Sequence, residues 1–425
     1  MVSRLKYPSG FCSYVIWFLA ILLVCSGLLC LSMFLPQNRI HENLKESTQQ
    51  FLLEGDVPSI YDTLSHSNKL DNVTDSTMLK ESFYASNWEN LWKNAVYFDE
   101  STPVESFHTA IHQNTPPSGS YSRYWGGFRA PLRLLLTFFN HLEIRHIVSA
   151  SFFCLFVLAA ITLQRYSNTA SALAFCLSIA MVKPEIICNS LQFSCCFLIA
   201  FAAMILVGKA GKMGYPQFFL CVGCLTQFFD FYTTPIITWA FPLLTLLACQ
   251  PFDLREKWVM AGKTCAAWLS GWLAMWLAKL TLTCLFTDEN AFAPALIAVK
   301  LRVGVEKYSG LEDTYNPVKA VIYCVGTLFH GSWFFLMAIL LFLVAFMFIT
   351  LRDTFKKNPS VSVSELARDR MVFVVIGLVP FLWFCITASP TVIHSYFQYR
   401  TIAVSVCAFL LCATLPVKQG KAKEL

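Results

Sequence analysis

Long apolar runs constrain this chain more than any other feature of its sequence. A helix needs about 20 mostly apolar residues to cross the hydrocarbon core of a bilayer, and the run CSYVIWFLAILLVCSGLLCLSMF has that length. We predict ten membrane-spanning helices, at residues 11–35, 146–163, 168–184, 190–208, 215–230, 234–249, 260–286, 332–351, 371–388 and 399–416. Only 14% of the residues are charged, whereas soluble domains average about 25%. The sequence therefore predicts an all-α polytopic integral membrane protein, in which residues 1–425 form a single transmembrane domain.

Basic residues indicate how these spans are oriented, because cytoplasmic loops carry an excess of Lys and Arg. With the N-terminus inside, every predicted cytoplasmic segment has such residues: Arg4, Lys6, Arg165, Lys209, Lys212, Arg255, Lys257, Lys263, Arg352, Lys356, Lys357, Arg368, Arg370, Lys418, Lys421 and Lys423. The short outer loops have almost none. We therefore predict a multi-pass plasma-membrane protein with both termini in the cytoplasm. The net charge of +6 forms no basic stripe, so nucleic acid is not an expected partner.

Two long segments are predicted to lie outside the cytoplasm, residues 36–145 and residues 287–331. Within the first, residues 87–98 and 128–142 place apolar and aromatic side chains at near-helical spacing. Amphipathic helices of this kind lie in the membrane interface. The first outer segment is therefore predicted to carry two interface helices.

Several patterns that suggest chemistry in soluble enzymes have a packing explanation here. Most of the 17 cysteines lie inside apolar runs, and Cys221-x-x-Cys224 is predicted to pack rather than to bind metal. Trp268, Trp272 and Trp276 form a stripe at helical spacing, which we interpret as a packing or lipid-facing ridge. No P-loop, G-x-G-x-x-G or G-x-S-x-G motif is present.

Polar residues collect on the predicted outer face. Charged groups near a bilayer must be paired or must lie in a wet cavity, so a one-sided cluster is informative. The cluster contains Asp71, Asp75, the YSRYWGG stretch at 121–127, Lys183, Glu185, Gln192, Asp230, Lys279, Asp288, Glu289, His394, Gln398, Tyr399 and Arg400. It predicts an extracytoplasmic active or binding site.

The stretch DNVTDSTML, residues 71–79, has three interpretations. Asp71 and Asp75 stand four residues apart, a spacing that places two carboxylates on one helix face. Asn72 begins an N-x-T sequence, which fits glycan attachment. The two carboxylates also fit a solvated loop.

Three further members of the cluster have alternatives. Asp230 needs a partner, which Thr233 or Thr234 provides if it only caps a helix end. His394 fits a packed interface histidine as well as a site residue, and no zinc motif accompanies it. Arg400 fits a snorkelling side chain, but a positive charge on the outer side favours phosphate binding.

The layout of one helix, a large outer segment with interface helices and then many spans resembles the GT-C superfamily of membrane glycosyltransferases. The stretches DNVTDSTML, YSRYWGGFRAPLRLLLTFFN, LQFSCCF, DFYTTPIITWAFPL and HSYFQYR are similar to recurring stretches of a largely uncharacterised family of bacterial multi-pass proteins. The resemblance implies a GT-C-like fold, a polyprenyl-phosphate sugar donor, a reaction outside the membrane and an essential acidic residue in the first outer loop.

Such a reaction assigns roles to the clustered residues. A carboxylate must accept the proton of the acceptor hydroxyl, a role for Asp75 or Asp71. Cationic groups must offset the charge on the departing phosphate, a role for Arg400, Lys279 or Lys183. The remaining predicted substrate-binding residues are Arg123, Tyr124, Trp125, Asp230, His394, Gln398 and Tyr399. No cofactor is fixed by the sequence; a divalent ion held by Asp71 or Asp75 with Asp288 or Glu289 is one option.

The sequence therefore predicts an extracytoplasmic glycosyltransferase that moves a sugar from a polyprenyl-phosphate donor to a cell-envelope glycan or lipid-linked acceptor, with membrane lipids around it. Two alternatives stay open. A transporter or flippase for a lipid-linked sugar needs polar groups along a path through mid-membrane, and a non-catalytic envelope scaffold tolerates replacement of the outer carboxylates.

Overall fold

A computed structural model describes residues 10–61, 66–306, 315–329, 333–357, 359 and 362–415. The predicted terminal charges Arg4, Lys6, Lys418, Lys421 and Lys423 lie outside the described residues, as does part of the predicted outer segment 287–331. The described chain is almost entirely helical, which confirms the all-α prediction.

Twenty α-helices and two short strands make up the described fold. The helices are α1 (Phe11–Ser32), α2 (Gln37–Glu54), α3 (Asn72–Tyr84), α4 (Trp88–Lys93), α5 (Pro103–His112), α6 (Arg129–Leu136), α7 (His141–Tyr166), α8 (Thr169–Ala180), α9 (Pro184–Ile187), α10 (Leu191–Leu206), α11 (Tyr215–Phe229), α12 (Ile236–Cys249), α13 (Leu254–Phe286), α14 (Phe292–Arg302), α15 (Pro317–Leu328), α16 (Trp333–Lys357), α17 (Val363–Ile386), α18 (Ala388–Ile393), α19 (Ser395–Gln398) and α20 (Ile402–Thr414). The antiparallel strands are β1 (Ala95–Val96) and β2 (Gly119–Ser120). Short 3₁₀ segments lie at His66–Asn68, Val207–Lys212 and Tyr399–Thr401.

Six segments in the described chain are long and apolar enough to cross a membrane. They are Phe11–Ser32, His141–Tyr166, Leu191–Gly211, Leu254–Phe286, Val363–Ile386 and Ser395–Thr414. All ten predicted spans coincide with helices, but α8, α11 and α12 have only 12, 15 and 14 residues. At 1.5 Å per residue such helices are shorter than the hydrocarbon core, roughly 30 Å thick. The structure thus indicates a multi-pass membrane protein, and ten spans stay a prediction.

Close packing of α11 against α13 organises the middle of the bundle. A side chain at Gly223 would collide with the backbone of Trp268, and one at Gly271 would collide with the backbone of Leu220. Small residues of this kind let membrane helices approach closely. Cys224 is buried in this contact, and its thiol donates to the Gly271 carbonyl at 3.5 Å. This cysteine therefore packs in the interior, as its apolar surroundings predict.

The first outer segment folds into a small helical unit, α2 to α6, rather than into two helices alone. Within the predicted helix 87–98, α4 ends at Lys93 because Asn94 adopts a left-handed conformation with φ 51°. Strand β1 then pairs with β2. Within 128–142, α6 covers Arg129–Leu136. Helices are present in both predicted regions, and their location in the membrane interface stays a prediction.

Two buried arginines of α6 attach this unit to its neighbours. Arg129 donates to the backbone carbonyls of Asn90, Leu91, Trp125 and Gly126. Arg133 donates to the carbonyl of Ser32 at the end of α1 and to the carbonyl of Ser82 in α3. Both side chains are fully buried. Because a buried guanidinium must be hydrogen-bonded, these contacts fix α6 between the first span and α3.

Candidate functional site

A cavity of about 730 Å³ lies beside this outer unit. Helices α3, α13, α14, α17 and α18 line it, together with the loops that follow β2 and α11. Its volume is within the usual range of small-molecule sites. Five predicted site residues line the cavity: Asp71, Arg123, Tyr124, His394 and Gln398. Side chains 323 residues apart in sequence therefore meet at one site, as the polar cluster predicts.

One face of α3 forms a polar wall of the cavity. Asp71, Thr74, Thr77 and Lys80 recur every three residues and all line the cavity. Asp71 is the N-cap of α3, and its carboxylate accepts from the Thr74 backbone N–H at 3.0 Å and from the Thr74 hydroxyl at 2.9 Å. The negative charge of Asp71 also acts on His394 and Tyr396. Asp71 is thus held in place while facing the cavity.

Asp75 lies in a different environment from Asp71. Asp71 is an N-cap with non-helical backbone angles (φ −119°, ψ 76°), and the two carboxylates bind different groups despite their helical spacing. The Asp75 carboxylate accepts from the Ser190 hydroxyl at 3.1 Å and from the Leu191 and Gln192 backbone N–H groups at 3.0 and 3.1 Å. It is fully buried and caps the N-terminus of α10. Burial raises the pKa of Asp75 to about 7, although Arg145 and the backbone donors lower it.

The N-x-T sequence is unavailable for modification in this fold. The Asn72 side chain is fully buried. Its amide group donates to Glu54 at 2.9 Å and to the Gly55 carbonyl at 2.8 Å, and its oxygen accepts from Arg145 at 2.9 Å. Asn72 therefore acts as part of an internal polar network.

Two guanidinium groups converge on one tyrosine in the cavity. Arg302, at the end of α14, donates to the Tyr124 hydroxyl at 2.6 Å. The guanidinium of Arg123 lies 5.2 Å from the Tyr124 ring and donates to the Tyr121 hydroxyl at 2.7 Å. Burial raises the pKa of Tyr124, but the charges of Arg302 and Arg123 outweigh burial and lower it overall. This part of the cavity is thus organised to stabilise negative charge.

Lys80 supplies a third cation. Its ammonium donates to the Tyr97 carbonyl at 3.2 Å and to the Ser106 hydroxyl at 3.3 Å. Burial lowers the pKa of Lys80 to about 8, while Asp99 and Glu81 raise it. Asp99 lines the same cavity. Lys80 therefore changes its charge close to physiological pH.

The opposite wall of the cavity is aromatic. Tyr232 and Trp272 pack edge to face with ring centroids 5.3 Å apart, and Arg302 stacks over the Tyr232 ring at 4.9 Å. Trp276 donates from its indole N–H to the Arg123 carbonyl at 3.1 Å. Trp272 and Trp276, which the sequence suggested to be a ridge without chemistry, therefore line the site.

Next to this wall, the cavity has an apolar rim open to the surroundings of the protein. The rim side chains are Leu273, Val299, Val303 and Ile386, all among the exposed large hydrophobic residues of the described chain. Leu273 lies on the predicted span α13, and Ile386 ends the predicted span α17. Exposed apolar side chains on such spans face lipid. The cavity thus has both polar and exposed apolar lining residues.

The predicted phosphate-binding cations do not line the cavity. Arg400 is fully buried, its guanidinium stacks 4.4 Å from the Phe193 ring, and it donates to the Tyr396 carbonyl at 2.9 Å. The Lys279 ammonium is buried and donates to the Trp92 carbonyl and to Asn94. Lys183 donates to Asn68. Each cation donates at least one hydrogen bond within the protein, although Nε and one terminal nitrogen of Arg400 have no partner among the described residues.

Three predicted substrate-binding residues also lie behind the lining. Asp230 accepts from the Thr233 backbone N–H at 3.1 Å and from the Thr233 hydroxyl at 2.5 Å, which is the helix-capping alternative. Trp125 is fully buried and donates to the Met275 carbonyl. Tyr399 is fully buried, and its hydroxyl donates to the Val182 carbonyl at 3.3 Å. These three side chains support the fold around the cavity.

The acidic residues considered for a metal ion are separated. Glu289 accepts hydrogen bonds from Ser120 and Ser122 and thereby attaches the second outer segment to the first. Asp288 is exposed. In the described residues, no three His, Cys, Asp or Glu side chains are grouped as a metal site.

Sequence reasoning missed several lining residues, notably Lys80, Asp99, Tyr232 and Arg302. Two of them carried a signal in the sequence. Lys80 continues the three-residue spacing that begins at Asp71, and Arg302 is a positive charge in a predicted outer segment, as Arg400 is.

No family model, no curated protein and no solved structure matches this chain.

Proposed function

We propose that this protein is a membrane glycosyltransferase that moves a sugar from a polyprenyl-phosphate donor to a cell-envelope glycan or lipid-linked acceptor. The observation that supports this proposal most directly is the mixed lining of the cavity, which combines three cations and two carboxylates with an exposed apolar rim. A lipid phosphate that carries a sugar likewise combines a charged head group with an apolar chain.

Arg123 and Arg302 are the proposed ligands of the donor phosphate. Guanidinium groups bind phosphate through paired, charge-assisted hydrogen bonds, and these two already converge on Tyr124. Lys80 adds a positive charge on the facing wall. The prenyl chain would lie along the apolar rim, which removes its surface from water. Arg400, Lys279 and Lys183 are less favourable candidates, because none of them lines the cavity.

Asp71 is the proposed general base. The acceptor hydroxyl oxygen forms a bond to the anomeric carbon of the sugar as the bond from that carbon to the phosphate oxygen breaks. The hydroxyl proton passes to the Asp71 carboxylate, and the electron pair of the broken bond leaves with the polyprenyl phosphate. Positive charge from Arg123 and Arg302 stabilises the phosphate as it departs. Asp75 is a less favourable base, because it is fully buried at the start of α10 and does not line the cavity.

The sugar would lie between the phosphate-binding arginines and the aromatic wall. Tyr232, Trp272 and Trp276 provide ring faces for apolar sugar surfaces. His394 and Gln398 provide hydrogen-bonding groups for hydroxyls. This arrangement requires the cavity to open outside the cytoplasm, so the proposal includes cytoplasmic N- and C-termini and location in the plasma membrane.

The test is to replace Asp71 with Asn and measure transfer by purified protein in lipid nanodiscs. Asn is as good an N-cap as Asp, so the variant is expected to fold while transfer falls about 100-fold or more. Arg255→Ala, on an exposed arginine at the far end of α13, is the matched control and is expected to retain transfer. Full transfer by a folded Asp71→Asn variant would overturn the assignment of the base, and a protein that moves lipid-linked sugar across vesicles without forming product would favour a flippase.

A further inference from the structure

A second cleft, of about 360 Å³, lies at the other end of α3 from the cavity. Its walls are the start of α2, the end of α3, the residues around α4 and the loop after α5. Asp71 begins α3 at the cavity, whereas Phe83 and Tyr84 end it at the cleft. At 1.5 Å per residue, Asp71 is about 18 Å from Phe83 along the helix axis. The cavity lining also includes Lys80, so the nearest lining residues of the two sites are about 5 Å apart along α3.

The cleft is unusual in being rich in amides while lacking ionic groups. Five of its lining side chains are amides: Gln37, Asn38, Asn87, Asn90 and Asn114. No Lys, Arg, Asp or Glu is among its lining residues in the described chain. Each amide offers an acceptor oxygen and two N–H donors, which match the combined donor and acceptor character of a sugar hydroxyl. A phosphate or carboxylate would find no cation here.

The frame of the cleft is held by internal hydrogen bonds. Gln37 donates to the Phe83 carbonyl at 2.9 Å and accepts from Arg133 at 3.1 Å. His41 bonds the Ile111 carbonyl at 2.8 Å, and Tyr84 donates to the Thr115 carbonyl at 2.7 Å. These bonds join α2, α3 and the loop after α5. The shape of the cleft is therefore set before any ligand binds.

Other amides in the cleft are not used by the fold. Within the described residues, the side chains of Asn38, Asn90 and Asn114 form no hydrogen bond, and none of them is fully buried. Asn114 adopts a left-handed conformation with φ 51° and lines the cleft. Three amides therefore remain available to a ligand on a preformed frame.

We propose that this amide-lined cleft binds an uncharged glycan chain. The binding itself does not depend on sugar transfer. Its use as a docking site for the acceptor rests on the proposed function, because a chain held in the cleft would extend along α3 towards Asp71. The cleft would then select a neutral polymer, while the cavity selects an anionic lipid donor.

The test is direct binding to the full-length protein in nanodiscs without donor. The probes are neutral linear tetrasaccharides of hexose and N-acetylhexosamine, with uronate-containing tetrasaccharides as the charged comparison. At least one neutral probe is expected to bind, and Asn38→Ala and Asn90→Ala are each expected to weaken its binding about fivefold to tenfold. Gln113→Ala and Gln49→Ala, on exposed amides outside the cleft, are expected to bind as the wild type does.

Each opposite result is informative. Absence of binding by all neutral probes, equal binding of the uronate probes, or insensitivity to both cleft variants would overturn the proposal. Because Asn38 is exposed on α2, its replacement does not threaten folding, which intrinsic fluorescence would verify. An Asp71→Asn protein that loses transfer but still binds the neutral probe would separate the two sites. A wild-type protein that binds glycan but never transfers sugar would contradict the proposed function and leave the cleft assignment intact.

Discussion

Arg302 and Tyr124 connect the two predicted outer segments of the chain across 178 residues of sequence, with the guanidinium 2.6 Å from the phenol oxygen. The bond places a cation of α14 next to Arg123 in the same cavity. Arg302 therefore contributes both to the contact between segments and to the charge of the site. These two contributions can be separated by mutation.

Replacing Arg302 with Ala is expected to lower transfer about 100-fold, because one of the cations facing the donor phosphate is lost. Tyr124→Phe removes the hydrogen bond but keeps both guanidinium groups, so this variant is expected to lower the rate of transfer about tenfold or less. Lys300→Ala is the control. Lys300 is on the same helix, does not line the cavity, and forms an ion pair with Glu306 in which the Nζ to Oε1 distance is 3.0 Å. Steady-state rates in nanodiscs give the comparison, and equal losses in Arg302→Ala and Lys300→Ala would contradict the charge role.

Asp75→Asn is expected to reduce stability rather than chemistry. The Asp75 carboxylate accepts hydrogen bonds from one hydroxyl and two backbone N–H groups at the start of α10. In Asp75→Asn, one of the two carboxylate oxygens is replaced by an NH₂ group, so at least one of these donors loses its acceptor. The loss of a buried acceptor for a backbone donor costs about 1–3 kcal/mol. Thermal unfolding in detergent measures this change. A variant with unchanged unfolding but no transfer would instead make Asp75 a member of the reacting site.

The pH dependence of unfolding provides a second measurement on Asp75. Its pKa is about 7 in the folded protein, against 3.8 for a free carboxyl, so the folded state binds more protons between these values. Stability is therefore highest at the acidic end and falls as pH rises from about 4 to about 7, by at most about 1.4 kcal/mol per pH unit. The difference in unfolding temperature between wild type and Asp75→Asn should shrink over this window, and a growing difference would contradict the expectation.

The sequence predicted the helices well because a long apolar run leaves the chain few alternatives in lipid. Every predicted span coincides with a helix, yet α8, α11 and α12 are too short to cross by length alone. Hydropathy averages over a window and does not register where a helix ends. The helix α2 was not predicted, because its buried face is assembled by contacts with α5 and α6 that are distant in sequence.

Part of the cavity lining was predictable from the sequence, but the contacts of individual residues were not. The sequence grouped Asp71, Arg123 and His394 as polar residues of one predicted face, because such groups require a shared wet region, and all three line the cavity. Arg400 and Asp75 have the same sequence signals, but their partners decide their roles, namely the Phe193 ring and the N-terminus of α10. Those partners come from elements remote in sequence, so local pattern alone cannot separate lining residues from supporting residues.

Lys80 is expected to make donor binding sensitive to alkaline pH. Because burial lowers its pKa to about 8, the side chain is charged below that value and neutral above it. The affinity for a polyprenyl-phosphate sugar should therefore fall as pH rises through about 8. Lys80→Met should bind more weakly at pH 7 and should lose this dependence. Donor titrations between pH 6.5 and 9 with both proteins test the assignment, and an identical pH profile in Lys80→Met would exclude Lys80 as the titrating group.

The apolar rim leads to a prediction about the length of the donor lipid. Leu273 lines the cavity. Leu277 lies one turn further along α13 and is similarly exposed, but it does not line the cavity. Leu273→Asp is expected to raise the KM for a long-chain prenyl donor about tenfold to 100-fold, because about 1.5–3 kcal/mol of apolar burial is lost. A donor with one or two isoprene units should be affected little. Leu277→Asp carries the same insertion penalty and should leave both KM values unchanged. If both variants discriminate equally between the two donors, the lipid does not lie along the rim, since the effect would then reflect the bilayer around α13 rather than the cavity.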